Sequence, residues 1–310
     1  IKDTAKILWL IYGFLTVVEV ILLSALGLSV YDAICHTFTT LSTGGYGTHT
    51  ASIAYWEDMP TASFIEAVFV LFMFLGGVNF VLHYNFIIKG IRSYLKDIEF
   101  RVYFLMLLAF IGIITADLII GGGKSLGTSL RGSVFTVVSI QTTTGYVTAD
   151  FDSWPALSRF AVLLAMFVGG MTGSTGGGMK IARFIIASKI LTRSLRRIGH
   201  PRAHIPIQIG GVTFNESIVR GVGLFIFGYI MIFLTSVFLI TLTGMDIVSS
   251  LSAVAATLGN VGPGLGLVGP KSNYADVNIF AKLILSTLMW IGRLEIITCF
   301  VLFVPENWKS

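Results

Sequence analysis

Three short runs rich in glycine and threonine interrupt long apolar stretches, and their main chain is the part of this sequence best suited to chemistry. The runs are STGGYG at residues 42–47, TTTGYV at residues 142–147 and GNVGPG at residues 259–264. Glycine adopts dihedral angles that other residues avoid, so such runs can turn several carbonyl oxygens to one side. Carbonyl oxygens gathered from several strands can replace the hydration shell of a monovalent cation. The runs therefore predict a cation site made of main-chain oxygens.

The composition places these runs in a membrane. Of the 310 residues, 55% are apolar and 12% are charged, with a mean hydropathy of +0.85. Soluble domains carry about 25% charged residues. Five windows are long enough to cross about 30 Å of hydrocarbon as helices; they are residues 7–30, 62–88, 103–120, 221–242 and 279–304. We therefore predict an all-α integral membrane protein with several spans.

The basic residues indicate the orientation of the chain rather than a nucleic-acid partner. The net charge is +5, but lysine and arginine concentrate in residues 89–101 and 189–202, between apolar windows. Acidic residues 57, 58, 150 and 152 lie in the alternate loops. Short basic loops lie on the cytoplasmic side of a membrane. The pattern predicts a multi-pass protein whose basic loops lie in the cytoplasm and whose acidic loops lie outside, and it argues against a nucleic-acid partner.

Each glycine run follows a semi-polar segment of about a dozen residues, which is too short to cross the bilayer. These segments, residues 31–41, 130–142 and 247–258, are expected to be re-entrant. The chain then consists of three parallel helix–pore-loop–helix units, at residues 1–98, 99–205 and 206–310, which we align on Gly44, Gly145 and Gly262. The alternative is that the runs are external turns, but their recurrence behind three half-length helices favours the cation site.

Five motifs resemble one family over essentially the whole chain. They are TTLSTGGYGTH at residues 39–49, SIQTTTGYVTADFDSWP at 139–155, GGMTGSTGGGMK at 169–180, ATLGNVGPGLG at 256–266 and GRLEI at 292–296. The sequence is similar to the Trk/Ktr/HKT superfamily of potassium transporters, and within it to the bacterial TrkH type. The resemblance implies four such repeats around a pseudo-fourfold pore. We therefore expect that the first repeat is absent from this chain.

The resemblance implies potassium uptake across the bacterial cytoplasmic membrane, with sodium left open as a second ion. Neither enzymatic activity nor an organic cofactor is expected. It also implies a homodimer, contact with membrane lipid, and a cytoplasmic nucleotide-binding subunit that regulates gating. The residues expected to provide filter carbonyls are Ser42, Thr43, Gly44, Thr143, Thr144, Gly145, Asn260, Val261 and Gly262.

A helix that would run through residues 159–191 is interrupted by six glycines within residues 169–180. Each glycine costs a helix about 1 kcal/mol relative to alanine, so this segment is expected to be unwound. Unwound backbone at membrane depth must face protein or a water-filled cavity. We interpret it as an intramembrane gate; a simple kink or close helix packing is the alternative. The gating residues are Gly173, Ser174, Thr175, Gly176, Gly177, Gly178 and Lys180.

Arg293 lies near the middle of the last apolar window. An arginine there costs about 2.5–3.5 kcal/mol on insertion scales, so it should face the cavity. We expect it to act as an electrostatic barrier to cations, hydrogen-bonded to carbonyls of residues 169–180. A structural pair with Glu295 is the alternative. Asn79 and His83, four apart, are expected on one helix face, where they line the cavity or join two helices.

Two other functions remain as alternatives. A symporter would use the broken helix to hold an organic solute. A membrane haem subunit would need paired intramembrane histidines, and only His83 lies deep in a span, while His36 lies in a re-entrant segment. The string GLGLVG at residues 264–269 follows a helix rather than a strand, and GSTGGGMK lacks the Lys-Ser/Thr order of a phosphate loop. Neither is therefore a nucleotide site.

Overall fold

The computed structural model describes residues 2–200, 205–294 and 296–301. Within these residues the chain forms helices and one small hairpin. The helices are α1 Lys2–Ala25, α2 Val30–Leu41, α3 Ala62–Gly77, α4 Phe80–Lys89, α5 Arg92–Lys96, α6 Ile98–Ile120, α7 Leu126–Gln141, α8 Ala156–Ala165, α9 Ile181–Gly199, α10 Glu216–Thr241, α11 Ile247–Leu258, α12 Ile279–Leu294 and α13 Ile296–Val301. Strands β1 Gln208–Ile209 and β2 Val212–Thr213 pair in antiparallel fashion.

Three groups of elements follow one order: a long helix, a short helix, an irregular loop and a second helix. They are α1–α2–α3, α6–α7–α8 and α10–α11–α12. The short helices α2, α7 and α11 begin where the sequence supplies an N-cap. The side chains of Ser29, Ser125 and Asp246 each accept a hydrogen bond from a main-chain N–H of the first turn. Such caps satisfy donors that a helix cannot pair internally.

The core surrounds the short helices. Every residue from Phe135 to Gln141 in α7 and from Ser252 to Leu258 in α11 is buried. The helix α2 is less enclosed, because Phe38 is 54% exposed whereas the corresponding Val138 is 4% exposed. The buried C-terminal ends of α7 and α11 bring their following loops to the centre of the molecule.

Three described helices, α1, α6 and α10, are long and apolar enough to cross a membrane, and a fourth span is possible if α3 and α4 are combined. Residues 62–88 do not form the single continuous helix that the sequence predicts, because α3 and α4 meet at an angle of 100°. Val78 is extended, and the Asn79 side chain accepts from the Val81 N–H at 2.8 Å, which starts α4. Asn79 therefore caps a new helix and does not share a face with His83.

The second helix is interrupted in two of the groups, between α3 and α4 and across residues 166–180. In the third group Gly292 of α12 lies against the end of α11. A Cβ atom on Gly292 would be 2.2 Å from the Leu258 carbonyl oxygen. The absence of a side chain at this position allows α12 to approach the start of the third loop.

We predict that Gly292→Ala lowers the thermal unfolding midpoint by several degrees in detergent. Overpacking of this kind costs about 1–3 kcal/mol, because the backbone carbonyl of Leu258 must move. Gly223→Ala in α10 is the control, since no atom lies within 4 Å of its added Cβ. Equal midpoints for the two variants would contradict the close approach.

Candidate filter and gate

The three loops that follow the short helices share one hydrogen-bond pattern. In each loop, two successive main-chain N–H groups donate to a single carbonyl two residues before the end of the helix. These pairs are Gly44 and Gly45 to Thr39, Thr144 and Gly145 to Ser139, and Val261 and Gly262 to Ala256. The loops are therefore equivalent in structure as well as in order.

Backbone angles establish the alignment of the three loops. The residues with left-handed φ are Thr43, Thr143 and Asn260 at one position, and Gly45, Gly145 and Gly262 two positions later. The alignment of Gly44 with Gly145 and Gly262 is therefore wrong by one residue. Ser42 is the C-cap of α2, in the place that Thr142 and Gly259 occupy after the other two short helices. Two adjacent glycines in the first run made the choice ambiguous in the sequence.

The glycines of two loops lie directly against carbonyls of the next loop. A Cβ on Gly45 would be 1.7 Å from the Thr144 oxygen, and a Cβ on Gly145 would be 1.9 Å from the Val261 oxygen. Thr144 and Val261 occupy equivalent positions, so the same contact occurs twice in succession. For Gly262 the corresponding volume is empty of described atoms within 4 Å. The loops thus follow one another around a common centre, with one side left open.

A cavity of about 990 Å³ lies at this centre. Eight of the nine predicted filter residues line it, together with Gly45 and Arg293. Thr143 does not line the cavity; its side chain is buried against the interrupted segment. The structure therefore gathers the three glycine runs around one space, although the first and the last are more than 200 residues apart along the chain.

Hydroxyl groups hold the loops from behind. Thr39 Oγ1 donates to the Tyr46 carbonyl, and Ser139 Oγ donates to the Tyr146 carbonyl, both at 2.7 Å. The third loop has alanine at the equivalent position. There the Tyr274 hydroxyl donates to the Gly262 carbonyl at 2.7 Å. Desolvation raises the pKa of Tyr274 above its ordinary value, so its hydroxyl retains the donated proton.

Tyr146 joins the second loop to the preceding short helix. Its hydroxyl donates to the His36 carbonyl at 3.0 Å and lies 2.6 Å from Thr39 Oγ1. The side chain is 1% exposed. The equivalent Tyr46 is 71% exposed. The sequence reading missed both tyrosines, although the shared Gly-Tyr pair in two of the three runs was a usable signal.

The predicted interruption of the helix through residues 159–191 is present, since α8 ends at Ala165 and α9 begins at Ile181. The connecting segment is ordered by main-chain bonds to the end of α3. The Met171 N–H donates to the Gly77 carbonyl at 2.9 Å, and the Thr175 N–H donates to the Gly76 carbonyl at 3.2 Å. The break between α3 and α4 leaves these carbonyls available.

The interrupted segment also bonds directly to the filter loops. Thr43 Oγ1 donates to the Thr175 carbonyl at 2.9 Å, and the Gly177 N–H donates to Thr143 Oγ1 at 2.6 Å. Thr175 Oγ1 in turn donates to the Leu41 carbonyl at 2.7 Å. The segment is therefore attached to the first and second filter loops.

The other predicted gating residues shape the segment itself. Gly173 and Gly178 have left-handed φ angles of 78° and 64°. Ser174 Oγ donates to the Met171 carbonyl at 2.6 Å. The Lys180 ammonium group donates to the Gly176 carbonyl, so Lys180 holds the end of the segment that precedes α9.

Arg293 lines the cavity, but its hydrogen bond differs from the expected one. Its Nη2 donates to the Ser42 carbonyl at 3.1 Å, at the C-cap of α2, rather than to a carbonyl of residues 169–180. Its main-chain N–H donates to the Asn260 amide oxygen at 3.1 Å, while the amide nitrogen donates to the Met289 carbonyl at 3.2 Å. The alternative partner Glu295 lies outside the described residues. Arg293 thus joins α12 to the first and third loops.

The two buried histidines are engaged in hydrogen bonds. His83 contacts the Tyr94 hydroxyl at 2.6 Å and the Leu75 carbonyl at 3.0 Å, so it joins α4 to α5 and to the end of α3. The ring nitrogens of His36 lie 3.2 Å from the Tyr146 hydroxyl and 3.3 Å from Thr48 Oγ1. Neither ring offers a free nitrogen to a haem iron.

Comparison with known proteins identifies the family of this chain. The profile of the TrkH family, described as cation transport proteins, matches residues 1–310. The chain is 39% identical to the Trk system potassium uptake protein TrkH of Salmonella typhimurium, and 38% identical to that of Escherichia coli K12. Both comparisons cover 100% of this chain and 63% of the relative. The crystal structure of the potassium transporter TrkH from Vibrio parahaemolyticus superposes with a TM-score of 0.91 at 36% identity.

The chain belongs to the TrkH family. It is therefore a member of a family of membrane transporters and not of enzymes. The superposition covers 99% of this chain and 65% of the Vibrio protein, so the chain spans slightly less than two thirds of its relatives. The all-helical membrane architecture expected from the sequence is that of the TrkH fold.

We predict that Thr143→Val accelerates amide hydrogen exchange in residues 169–180. Valine has no acceptor for the Gly177 N–H, and an unpaired buried donor costs about 1–3 kcal/mol. Mass spectrometry of peptides from the detergent-solubilised protein measures the effect. Thr143→Ser restores the hydroxyl and should exchange as the unmodified protein does. Unchanged exchange in the valine variant would contradict the bond.

Proposed function

We propose that this chain contributes three of four units to a pore for potassium uptake. The observation that carries the proposal is the repeated contact of a filter glycine with the carbonyl of the next loop, Gly45 with Thr144 and Gly145 with Val261. Loops related in this way direct equivalent main-chain oxygens to one axis. Such oxygens replace the water around an alkali ion.

In this proposal the first filter strand lies one residue closer to the C-terminus than the strand predicted from the sequence. It consists of Thr43, Gly44 and Gly45, of Thr143, Thr144 and Gly145, and of Asn260, Val261 and Gly262. The relatives named potassium uptake proteins support potassium as the transported ion. Sodium remains open as a second ion, because carbonyl ligands alone do not fix the preference.

A fourth unit completes the ring between Gly262 and α2. Two observations on this side support it. The space beside Gly262 is empty where Gly45 and Gly145 each contact a carbonyl. Tyr46 and Phe38 are exposed where Tyr146 and Val138 are buried against a neighbouring unit. The unit corresponds to the first repeat of the family, and the three units of this chain to residues 1–98, 99–205 and 206–310.

The interrupted segment, residues 169–180, acts as a gate beneath the filter. It is suited to this role because it is unwound and its glycines permit other backbone angles. Arg293 adds a positive charge beside the same path, which opposes the entry of cations. In this proposal the protein works in the bacterial cytoplasmic membrane, in contact with lipid, and as a homodimer that the family resemblance alone implies. A cytoplasmic nucleotide-binding subunit, implied by the family resemblance alone, regulates the gate.

Rubidium uptake by liposomes containing the full-length protein tests the transport function. We predict that Gly145→Ala abolishes uptake, because its methyl group would displace the Val261 carbonyl and its φ of 83° disfavours alanine. Gly223→Ala should transport normally. Rubidium uptake by the Gly145→Ala protein equal to that of the control would refute the carbonyl filter. Preferential uptake of an amino acid by the unmodified protein would indicate a symporter instead.

The barrier role of Arg293 has a separate test. Arg293→Ala removes the positive charge and should raise the rubidium flux severalfold at unchanged protein content. Arg293→Lys keeps a charge at the same depth but loses the planar donor group, so its flux should stay close to that of the unmodified protein. A flux that is lowered equally by both substitutions would show that the bond to Ser42 matters and the charge does not.

A further inference from the structure

One carboxylate binds both ends of the interrupted segment. Glu99 lies in the first turn of α6, and its Oε1 accepts from the Thr172 N–H at 2.6 Å. The same oxygen accepts from the Ala182 N–H at 3.1 Å. Thr172 precedes the glycines at residues 173–178, and Ala182 follows them in the first turn of α9. The carboxylate therefore binds both ends of a loop whose ends are also joined by main-chain bonds from the Gly169 N–H to the Met179 carbonyl and from the Ile181 N–H to the Gly170 carbonyl.

The electrostatics of this contact are favourable. The helix α9 has 19 residues and begins after Lys180, whose side chain makes no capping bond to it. Its first N–H groups therefore need acceptors from elsewhere. A carboxylate at a helix N-terminus also interacts favourably with the helix dipole. Glu99 meets both needs from a neighbouring helix, and hydrogen bonds to a charged acceptor are stronger than neutral ones.

Other contacts of the segment lie on a different side. Thr175 and Gly177 bond to the filter loops and to the end of α3, whereas Thr172 and Ala182 bond to α6. The loss of Glu99 would therefore release the ends of the segment from α6 and leave its bonds to Thr43 and Thr143 in place.

We infer that Glu99 is a latch, a positioning residue that holds residues 169–180 across the ion path by binding Thr172 and Ala182. The inference rests on the proposed gate. It also connects the gate to α5, the basic helix that precedes α6. A displacement of α5 and the start of α6 would reach both ends of the segment through the Glu99 carboxylate.

The test compares Glu99→Gln and Glu99→Ala with Asp97→Asn in the full-length protein. Asp97 is two residues away and caps α6 by accepting from the Phe100 N–H at 2.8 Å. Asparagine caps a helix as well as aspartate does. The control therefore removes the same charge in the same place without touching the segment.

We expect the maximal rubidium flux into liposomes to rise on the order of tenfold in Glu99→Ala, the change in an equilibrium that loss of a bond to a charged group can produce. Glu99→Gln, which keeps a neutral acceptor, should lie between. The half-saturating rubidium concentration and the preference for rubidium over sodium should not change, because the filter bonds remain. Asp97→Asn should match the unmodified protein.

A second measurement does not depend on transport. Ser174→Cys, in a protein whose Cys35 and Cys299 are replaced by serine, reports the exposure of the segment to a charged thiol reagent. The reaction should be faster when Glu99 is alanine and unchanged when Asp97 is asparagine. If the unmodified protein takes up no rubidium, the proposed function fails, and this reaction still tests the latch.

Three outcomes would overturn the inference. One is normal flux and normal thiol reactivity in both Glu99 variants. Another is an equal rise in flux in Asp97→Asn, which would assign the effect to charge at the pore mouth. The last is a lowered flux with altered ion preference in Glu99→Ala, which would make Glu99 a support of the filter rather than a latch on the gate.

Discussion

The structure depends on the pairing of polar main-chain groups in irregular backbone that no lipid can satisfy. The chain places four such segments in its interior, and each obtains its partners from helix ends. In the filter loops, one carbonyl near the end of the short helix accepts two successive N–H groups, as Ser139 does from Thr144 and Gly145. This pair of bonds fixes the loop backbone. It uses a carbonyl of the helix as acceptor rather than the carbonyls of the loop itself. In the proposed pore, carbonyls of these loops provide the ion site.

The interrupted segment solves the same problem with partners from other elements. It takes the carbonyls of Gly76 and Gly77, which exist as free acceptors only because α3 ends there and α4 turns away by 100°. The bend between α3 and α4 and the interruption between α8 and α9 thus depend on each other. Each break exposes main-chain groups that form hydrogen bonds with groups exposed by the other. For this reason the loss of a hydrogen bond in either place disturbs both.

Much of this fold is predictable from the sequence because hydrophobic length, N-caps and glycine clusters are local signals. The short helices, the three loops and the unwound residues 169–180 all follow from them. The bend after Gly77 was missed because the apolar pattern continues through Val78, and the only local sign was the capping side chain of Asn79. The choice between Gly44 and Gly45 depended on φ angles, and the partner of Arg293 depended on packing between units far apart in sequence. Neither is encoded in a local pattern.

The proposed filter and the proposed gate share hydrogen bonds through two threonines. Thr43 and Thr143 stand at the left-handed position of two filter strands, and their hydroxyl groups also bond to Thr175 and Gly177 of the interrupted segment. Left-handed backbone is strained for threonine and persists only where surrounding bonds hold it. In the proposed pore, a displacement of the segment that broke these two bonds would loosen the filter strands. Release of the segment at Thr172 and Ala182 leaves both bonds in place, so the proposed gate can be weakened at its ends without a change in the filter.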